Sequence, residues 1–150
     1  MNHSPNSHSR MFLMELIIAI LFFSLAGAIC LRMFAVSRKM SDDTTALNMA
    51  MNQASNVAEL LKYAQSENEP FPGCMLGAYP YTVTDTAQAA IYFDEGWNHC
   101  ETHNAVYSIQ VTQQDENNGI IPFGIAVWDT TDSNAAIYTL DLKLHAPIQP

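Results

Sequence analysis

One carboxylate lies inside the longest apolar segment of the chain. Residues 11–31 (MFLMELIIAILFFSLAGAICL) contain 18 apolar residues in 21, and Glu15 lies near their start. A helix of roughly 20 apolar residues can cross the hydrocarbon core of a bilayer. A carboxylate inside such a helix is costly, so it usually has a charged partner or a function. The segment predicts a membrane anchor. Glu15 is either a group that pairs with a cation or an ordinary acid at headgroup level.

Two cysteines and a short stretch of histidines are the other candidate chemical groups. Cys74 and Cys100 both follow the apolar segment, and a disulfide between them is favoured if that part of the chain faces an oxidising compartment. Such a bond would close the loop from residue 74 to residue 100 and would stabilise the fold by roughly 3–4 kcal/mol in the chain-entropy model. Two free thiols are the alternative, and the sequence leaves both open. Cys100 and His103 have ligand-like spacing, but no second close pair accompanies them, so we predict no metal site.

The sequence lacks the motifs of the common enzyme classes. It has no Gly-x-Ser-x-Gly, no His-Glu-x-x-His and no phosphate-binding loop, and its six glycines are scattered. We therefore expect no enzymatic activity and no cofactor. The net charge is −9, and only Lys62 and Lys143 follow position 39 among the basic residues. A chain so poor in Lys and Arg is not expected to bind nucleic acid.

Apolar periodicity predicts one long helix that carries Glu15. Residues 1–10 are polar and form a short leader, residues 11–36 form a transmembrane half, and residues 37–66 form an amphipathic half. In the second half Leu47, Met51, Ala54, Ala58 and Leu61 recur at steps of 4, 3, 4 and 3, which places them on one face of a helix. A kink or a fresh helix start near Ser41 is also compatible with the pattern.

Residues 70–150 predict a small antiparallel sheet. Apolar and polar residues alternate in 105–112, 121–127 and 138–144, and shorter strand candidates cover 79–84 and 89–94. An Asn-Gly pair at 118–119 predicts a hairpin turn, and Pro122 suggests an edge strand or a bulge. A sheet with one apolar face needs a cover, and the helical stripe is the available one. The predicted fold class is therefore α+β, a long N-terminal helix packed on a small antiparallel sheet.

The segment from Met11 to Ile20 (MFLMELIIAI), after a polar leader that ends in Arg10, resembles the amino terminus of type IV pilins and pseudopilins. In that family Glu is the fifth residue of the mature chain, so matching Glu15 to it makes Met11 the first mature residue. The resemblance covers residues 10 to about 65. It departs before the cleaved bond, where the family usually has Gly, sometimes Ala, and this chain has Arg10. Both a cleaved and an uncut chain remain open.

The resemblance implies a pilin-like fold and a structural function. The chain would be a subunit of a type IV pilus, a competence pseudopilus or a type II secretion pseudopilus. Its partners would be other pilin-like subunits, the assembly platform and a prepilin peptidase. Glu15 and Met11 would be the assembly residues, because the Glu of one subunit is thought to pair with the amino-terminal amine of a neighbour.

The resemblance also implies a location. The chain would be a single-pass protein of the cytoplasmic membrane, with its amino terminus inside and its carboxyl-terminal domain outside or in a surface filament. Arg32, Arg38 and Lys39 follow the apolar run whereas Arg10 precedes it, and this bias taken alone favours the opposite orientation. The alternative function is a monomeric single-pass protein whose outer domain binds a partner, with the helix as a tether.

Overall fold

The computed structural model describes residues 6–131 and 135–146, with side chains from residue 9 onward. Parts of the predicted leader (residues 1–5) and of the turn before the last strand (residues 132–134) lie outside the described residues. Helices and strands follow in the order α1 (Asn6–Ser66), α2 (Gly73–Ala78), β1 (Val83–Asp85), β2 (Gln88–Phe93), β3 (Tyr107–Gln113), β4 (Ile120–Asp129) and β5 (Tyr138–His145). The fold is α+β with a long N-terminal helix, as predicted.

The chain divides into two compact units at the junction of Thr44 and Thr45. The described part of the first unit is helical throughout. The second unit contains the rest of α1, together with α2 and the sheet, and holds the buried core of the described residues.

Helix α1 starts earlier than the sequence predicts and has no break near Ser41. It begins at Asn6, within residues 1–10 that the sequence predicts as a leader before the helix. No Pro or Gly lies between Asn6 and the apolar run, so adding residues to an existing helix costs little there. Near the expected break, the Thr44 hydroxyl donates to the carbonyl oxygen of Met40 at 2.7 Å, which satisfies this side chain within the helix.

The five strands form an antiparallel meander in the order β1-β2-β3-β4-β5. One row across the sheet joins Ile91 to Ile109, Ile109 to Val127, and Val127 to Tyr138. The side chains of this row share one face, because antiparallel partners directly opposite each other point the same way. The sequence thus places its alternating apolar residues on a single face, as predicted.

The turn between β3 and β4 confirms the hairpin predicted from the Asn-Gly pair. The backbone N–H of Asn117 donates to the carbonyl oxygen of Ile120 at 2.8 Å, and the N–H of Ile120 donates to the carbonyl oxygen of Asn117 at 3.1 Å. Asn118 and Gly119 between them have φ values of 53° and 77°. A two-residue type I′ turn requires positive φ at both positions, which Asn and Gly tolerate best.

The face of α1 that packs on the sheet carries mostly small side chains. The buried residues of α1 include four alanines, and the whole buried set is Ala50, Ala54, Val57, Ala58, Leu61 and Ala64. The predicted stripe is therefore right for Ala54, Ala58 and Leu61 but wrong for Leu47 and Met51, which are 38% and 42% exposed. The packed face is centred on residues with short side chains, so the longest apolar side chains do not mark it.

Pro122 lies in an interior strand, so the predicted edge position is wrong. Strand β4 pairs with β3 on one side and with β5 on the other. The backbone N–H of Gln114 donates to the carbonyl oxygen of Pro122 at 2.9 Å, and Gln114 lies just beyond the end of β3. Proline has no backbone N–H, and the hydrogen bond that it cannot make would lie at the end of the β3–β4 ladder. The loss is therefore a single terminal hydrogen bond.

Helix α2 was not predicted from the sequence. Its six residues (GCMLGA) bury Cys74 and Met75, and Met75 is fully buried in the core. The segment is too short to show a helical period, and the two glycines within it suggest a loop.

Candidate assembly surface on helix α1

The first unit exposes an almost continuous apolar helix surface. Among the described residues one helix is long and apolar enough to cross a membrane, and none of its most apolar window is buried. The exposed large side chains run from Met11 to Met40 and include Phe12, Ile17, Phe22, Phe23, Leu31 and Phe34. In water such a surface would be strongly unfavourable. It therefore requires lipid or other protein around it.

Glu15 lies within this apolar surface. Met11, Met14, Glu15 and Ile18 share one side of α1, at successive steps of three, one and three residues, and border a shallow depression of about 270 Å³. The two residues that the resemblance implies for assembly, Glu15 and Met11, thus lie on one side of the helix. The carboxylate has apolar neighbours on its own chain and faces outward, so a cation could reach it from a second molecule.

Arg10 does not neutralise Glu15 in the structure. Among the described residues the ion pairs include none between these two side chains. Residues five positions apart on a helix point in directions about 140° apart, since each residue turns by about 100°. The nearest basic residue of the same chain is therefore not the partner of the carboxylate, and the bond between Arg10 and Met11 lies within a continuous helix.

The two cysteines of the second unit are free thiols, so of the two states that the sequence left open the structure has the reduced one. Cys74 points into the core from α2, and burial, with a smaller effect from the charge of Glu69, raises the pKa of its thiol. Cys100 follows β2, and its backbone N–H donates to the carbonyl oxygen of Tyr92 at 3.1 Å. Burial and the charge of Asp94 raise the pKa of the Cys100 thiol.

The loop after β2 is held by its own hydrogen bonds. The carboxylate of Asp94 accepts the backbone N–H of Asn98 at 2.9 Å, and this bond in particular holds the pKa of Asp94 below its usual range. Trp97 has a φ of 61°, and its ring stacks on Tyr107 at 4.2 Å. Trp97 thus covers one end of the apolar face.

The histidines near this loop make contacts of other kinds. The Nδ1 atom of His103 lies 3.3 Å from Glu101. His99 packs edge-on against Tyr79, with ring centroids 4.8 Å apart. Within residues 6–131 and 135–146, no group of three His, Cys, Asp or Glu side chains is placed to hold a metal ion.

No protein-family model, curated protein or solved structure matches this chain. The class of protein therefore rests on the structure alone. It is an α+β protein whose long N-terminal helix carries an exposed apolar segment and, further along, covers an antiparallel sheet. Sequence reasoning missed two features of this surface, the exposed Leu47 and Met51. Their apolar character was visible in the sequence, but their exposure depends on how the sheet meets the helix.

Proposed function

We propose that this protein is a pilin-like structural subunit, anchored in the cytoplasmic membrane, that assembles with similar subunits through helix α1. The observation that carries the proposal is Glu15, exposed among apolar side chains with no ion pair to Arg10. A carboxylate held in apolar surroundings is strongly unfavourable unless a cation meets it. A neighbouring subunit that brings an amine to this depth supplies that cation and also fixes the relative height of the two helices.

The remaining exposed apolar residues of α1 support the same proposal. Leu47 and Met51 lie beyond the predicted transmembrane half and are partly exposed, although they belong to a helix that packs on the sheet with its other face. A simple tether needs no apolar side chains there. In a bundle of such helices, Leu47 and Met51 would contact neighbouring subunits, which favours assembly over a monomeric anchor.

The proposal assigns a topology and partners. The amino terminus lies in the cytoplasm and the sheet domain outside, and the partners are other pilin-like subunits, the assembly platform and a prepilin peptidase that cuts between Arg10 and Met11. The acidic second unit suits export because only Lys62 and Lys143 follow residue 39 among its basic residues. The filament is a type IV pilus, a competence pseudopilus or a type II secretion pseudopilus.

Replacement of Glu15 tests this function. Glu15→Gln keeps the size of the side chain and removes its charge, so the helix should insert in the membrane at the wild-type level. We expect incorporation into sheared filaments to fall at least about ten-fold, since a charge pair worth about 1.4 kcal/mol is lost. The measurement is a quantitative immunoblot of the membrane and filament fractions from the native host.

Ser24→Ala serves as the matched control. Ser24 lies on the same exposed segment, and its hydroxyl donates within the helix to the carbonyl oxygen of Ile20 at 2.8 Å. We expect this variant to behave as wild type in both fractions. Normal incorporation of Glu15→Gln would contradict the assembly role and favour the monomeric tether.

A further inference from the structure

A groove lies in the second unit where helix α1 ends beside the sheet. The helix ends at Ser66, and Asn68 follows it with a φ of 58°, a left-handed conformation that Asn tolerates at the end of a helix. The backbone N–H of Glu69 donates to the carbonyl oxygen of Ala64 at 2.8 Å, which turns the chain back over the last helical turn. Residues 68–71 thereby form one wall of a groove of about 240 Å³ that is open to solvent.

The floor of the groove is apolar. Ile121 and Phe123 lie two positions apart on β4, so they share the face of the sheet that packs on α1. Phe71 packs edge-on against Phe123, with ring centroids 5.5 Å apart. Phe123 is buried, but Phe71 and Ile121 are only partly buried. Apolar surface is therefore left for a ligand, as is typical of binding grooves.

The rim of the groove carries hydrogen-bond acceptors. The side-chain N–H of Gln65 donates to the carbonyl oxygen of His145 at 2.7 Å, so the side-chain oxygen of Gln65 remains as an acceptor. Within the part of the chain that the structure describes, no hydrogen bond or ion pair engages the side chains of Asn68, Glu69 or Gln113. One carboxylate and the oxygens of three amides are thus available to a ligand.

Charge favours a cation in this groove. Glu69 is the acidic residue that lines it, and no Lys, Arg or His accompanies it among the described lining residues. The second unit as a whole is acidic, since only Lys62 and Lys143 follow position 39 among the basic residues. A negative unit attracts cations from a distance. A carboxylate beside an apolar floor suits a cation with an apolar stem.

We propose that this groove binds an arginine side chain of a partner polypeptide. A guanidinium has five N–H donors and no acceptor, which matches the carboxylate of Glu69 and the amide oxygens around it. Its planar face stacks on aromatic rings, and its methylene stem covers apolar surface, which matches Phe71 and Ile121. A lysine ammonium is more strongly hydrated and has no planar face, so the groove prefers arginine.

This site is separate from the proposed assembly surface. It uses the carboxyl-terminal end of α1 and the sheet, and not Glu15 or the apolar segment of the first unit. It rests on the proposed function only for the side of the membrane on which the partner lies. Binding is measured on the purified protein and filament incorporation in the native host, so failure of one is distinguishable from failure of the other.

Titration of the full-length protein in a nonionic detergent tests the site. The probes are N-acetyl-L-arginine amide and N-acetyl-L-citrulline amide, which has nearly the same shape and no charge. NMR signals from the methyl groups of Ile121 and the side-chain amides of Asn68 and Gln113 report binding. We expect the arginine probe to shift these signals and the citrulline probe to bind at least about three-fold more weakly, as for an exposed ion pair.

Two variants locate the charge that binds the probe. Glu69→Gln keeps the size of the side chain and removes its charge, so the Kd of the arginine probe should rise about three-fold. The Kd of the citrulline probe should stay unchanged. Glu67→Gln makes the same charge change two positions away, at an exposed residue that does not line the groove, and should behave as wild type.

Several outcomes would overturn the proposal. The arginine probe might shift none of these signals, the two probes bind equally, or Glu69→Gln and Glu67→Gln bind the arginine probe alike. The same shifts on addition of unlabelled protein without a probe would assign the groove to a second copy of the chain. A variant that lacks residues 147–150 should bind the arginine probe as wild type does, and tighter binding would assign the groove to that segment instead.

Discussion

At the scale of single residues, chemistry in this protein depends on what surrounds each group. Glu15 could be identified from sequence alone because a carboxylate is conspicuous in an apolar run. Cys74 and Cys100 could not be assigned in the same way, since a disulfide needs a particular separation and orientation of two side chains that sequence spacing does not supply. The structure places one thiol in the core and the other at its border.

This difference in burial predicts how the two thiols react. At about pH 8, iodoacetamide should modify Cys100 at least about ten-fold faster than Cys74, because the thiolate must form and be reached by the reagent. Cys74 is only 6% exposed, whereas Cys100 is half-buried. Burial raises the pKa of both thiols, so access of the reagent makes the difference. Peptide mapping of the folded full-length protein measures both rates. After unfolding, the two cysteines should react alike.

A linked peptide containing both cysteines would contradict this expectation. It would show the disulfide that the sequence left open as an alternative, and neither residue would then be modified without a reductant. Omitting and adding the reductant before the same reaction separates the two outcomes.

At the scale of helices and strands, the sequence predicted those elements in which apolar and polar residues recur at a regular spacing. The meander was predictable because apolar residues alternate along β3, β4 and β5 and because Asn118 and Gly119 suit a tight turn. Which residues of α1 form its buried face was harder to predict from the sequence. Alanine is weakly apolar, so Ala50 and Ala64 were not recognised as buried. Their burial follows from where the sheet covers the helix, which sequence periodicity does not report.

The complete burial of small side chains on α1 predicts a strong response to larger ones. Ala54 is fully buried, so Ala54→Leu should destabilise the second unit by about 1–3 kcal/mol through overpacking. Ser55→Leu, one position along on the exposed side of the same helix, adds a leucine where there is room and should change stability by less than about 0.5 kcal/mol. Chemical denaturation of the full-length protein in detergent, followed by tryptophan fluorescence, measures both.

Equal stability of the two variants would contradict this packing. It would mean that Ala54 has room for a larger side chain, and that the buried face lies elsewhere on the helix.

At the scale of the whole molecule, the chain combines two units with different needs. Residues up to Thr44 expose large apolar side chains, and residues from Thr45 onward form a core of their own. The first unit requires a surrounding of lipid or neighbouring helices, whereas the second can face water. The proposed function as a subunit that moves from a membrane into a filament would meet both needs, since helices of other subunits would replace the lipid around α1.

The most direct test of this account is the location of the wild-type protein in its native host. Filaments are sheared from intact cells, and the protein is quantified in the sheared and membrane fractions by immunoblot, with an unrelated single-pass protein as the control for membrane leakage. The account predicts that the protein is present in the filament fraction while the control is absent from it. Confinement of the protein to the membrane fraction, in cells that release filaments, would contradict it.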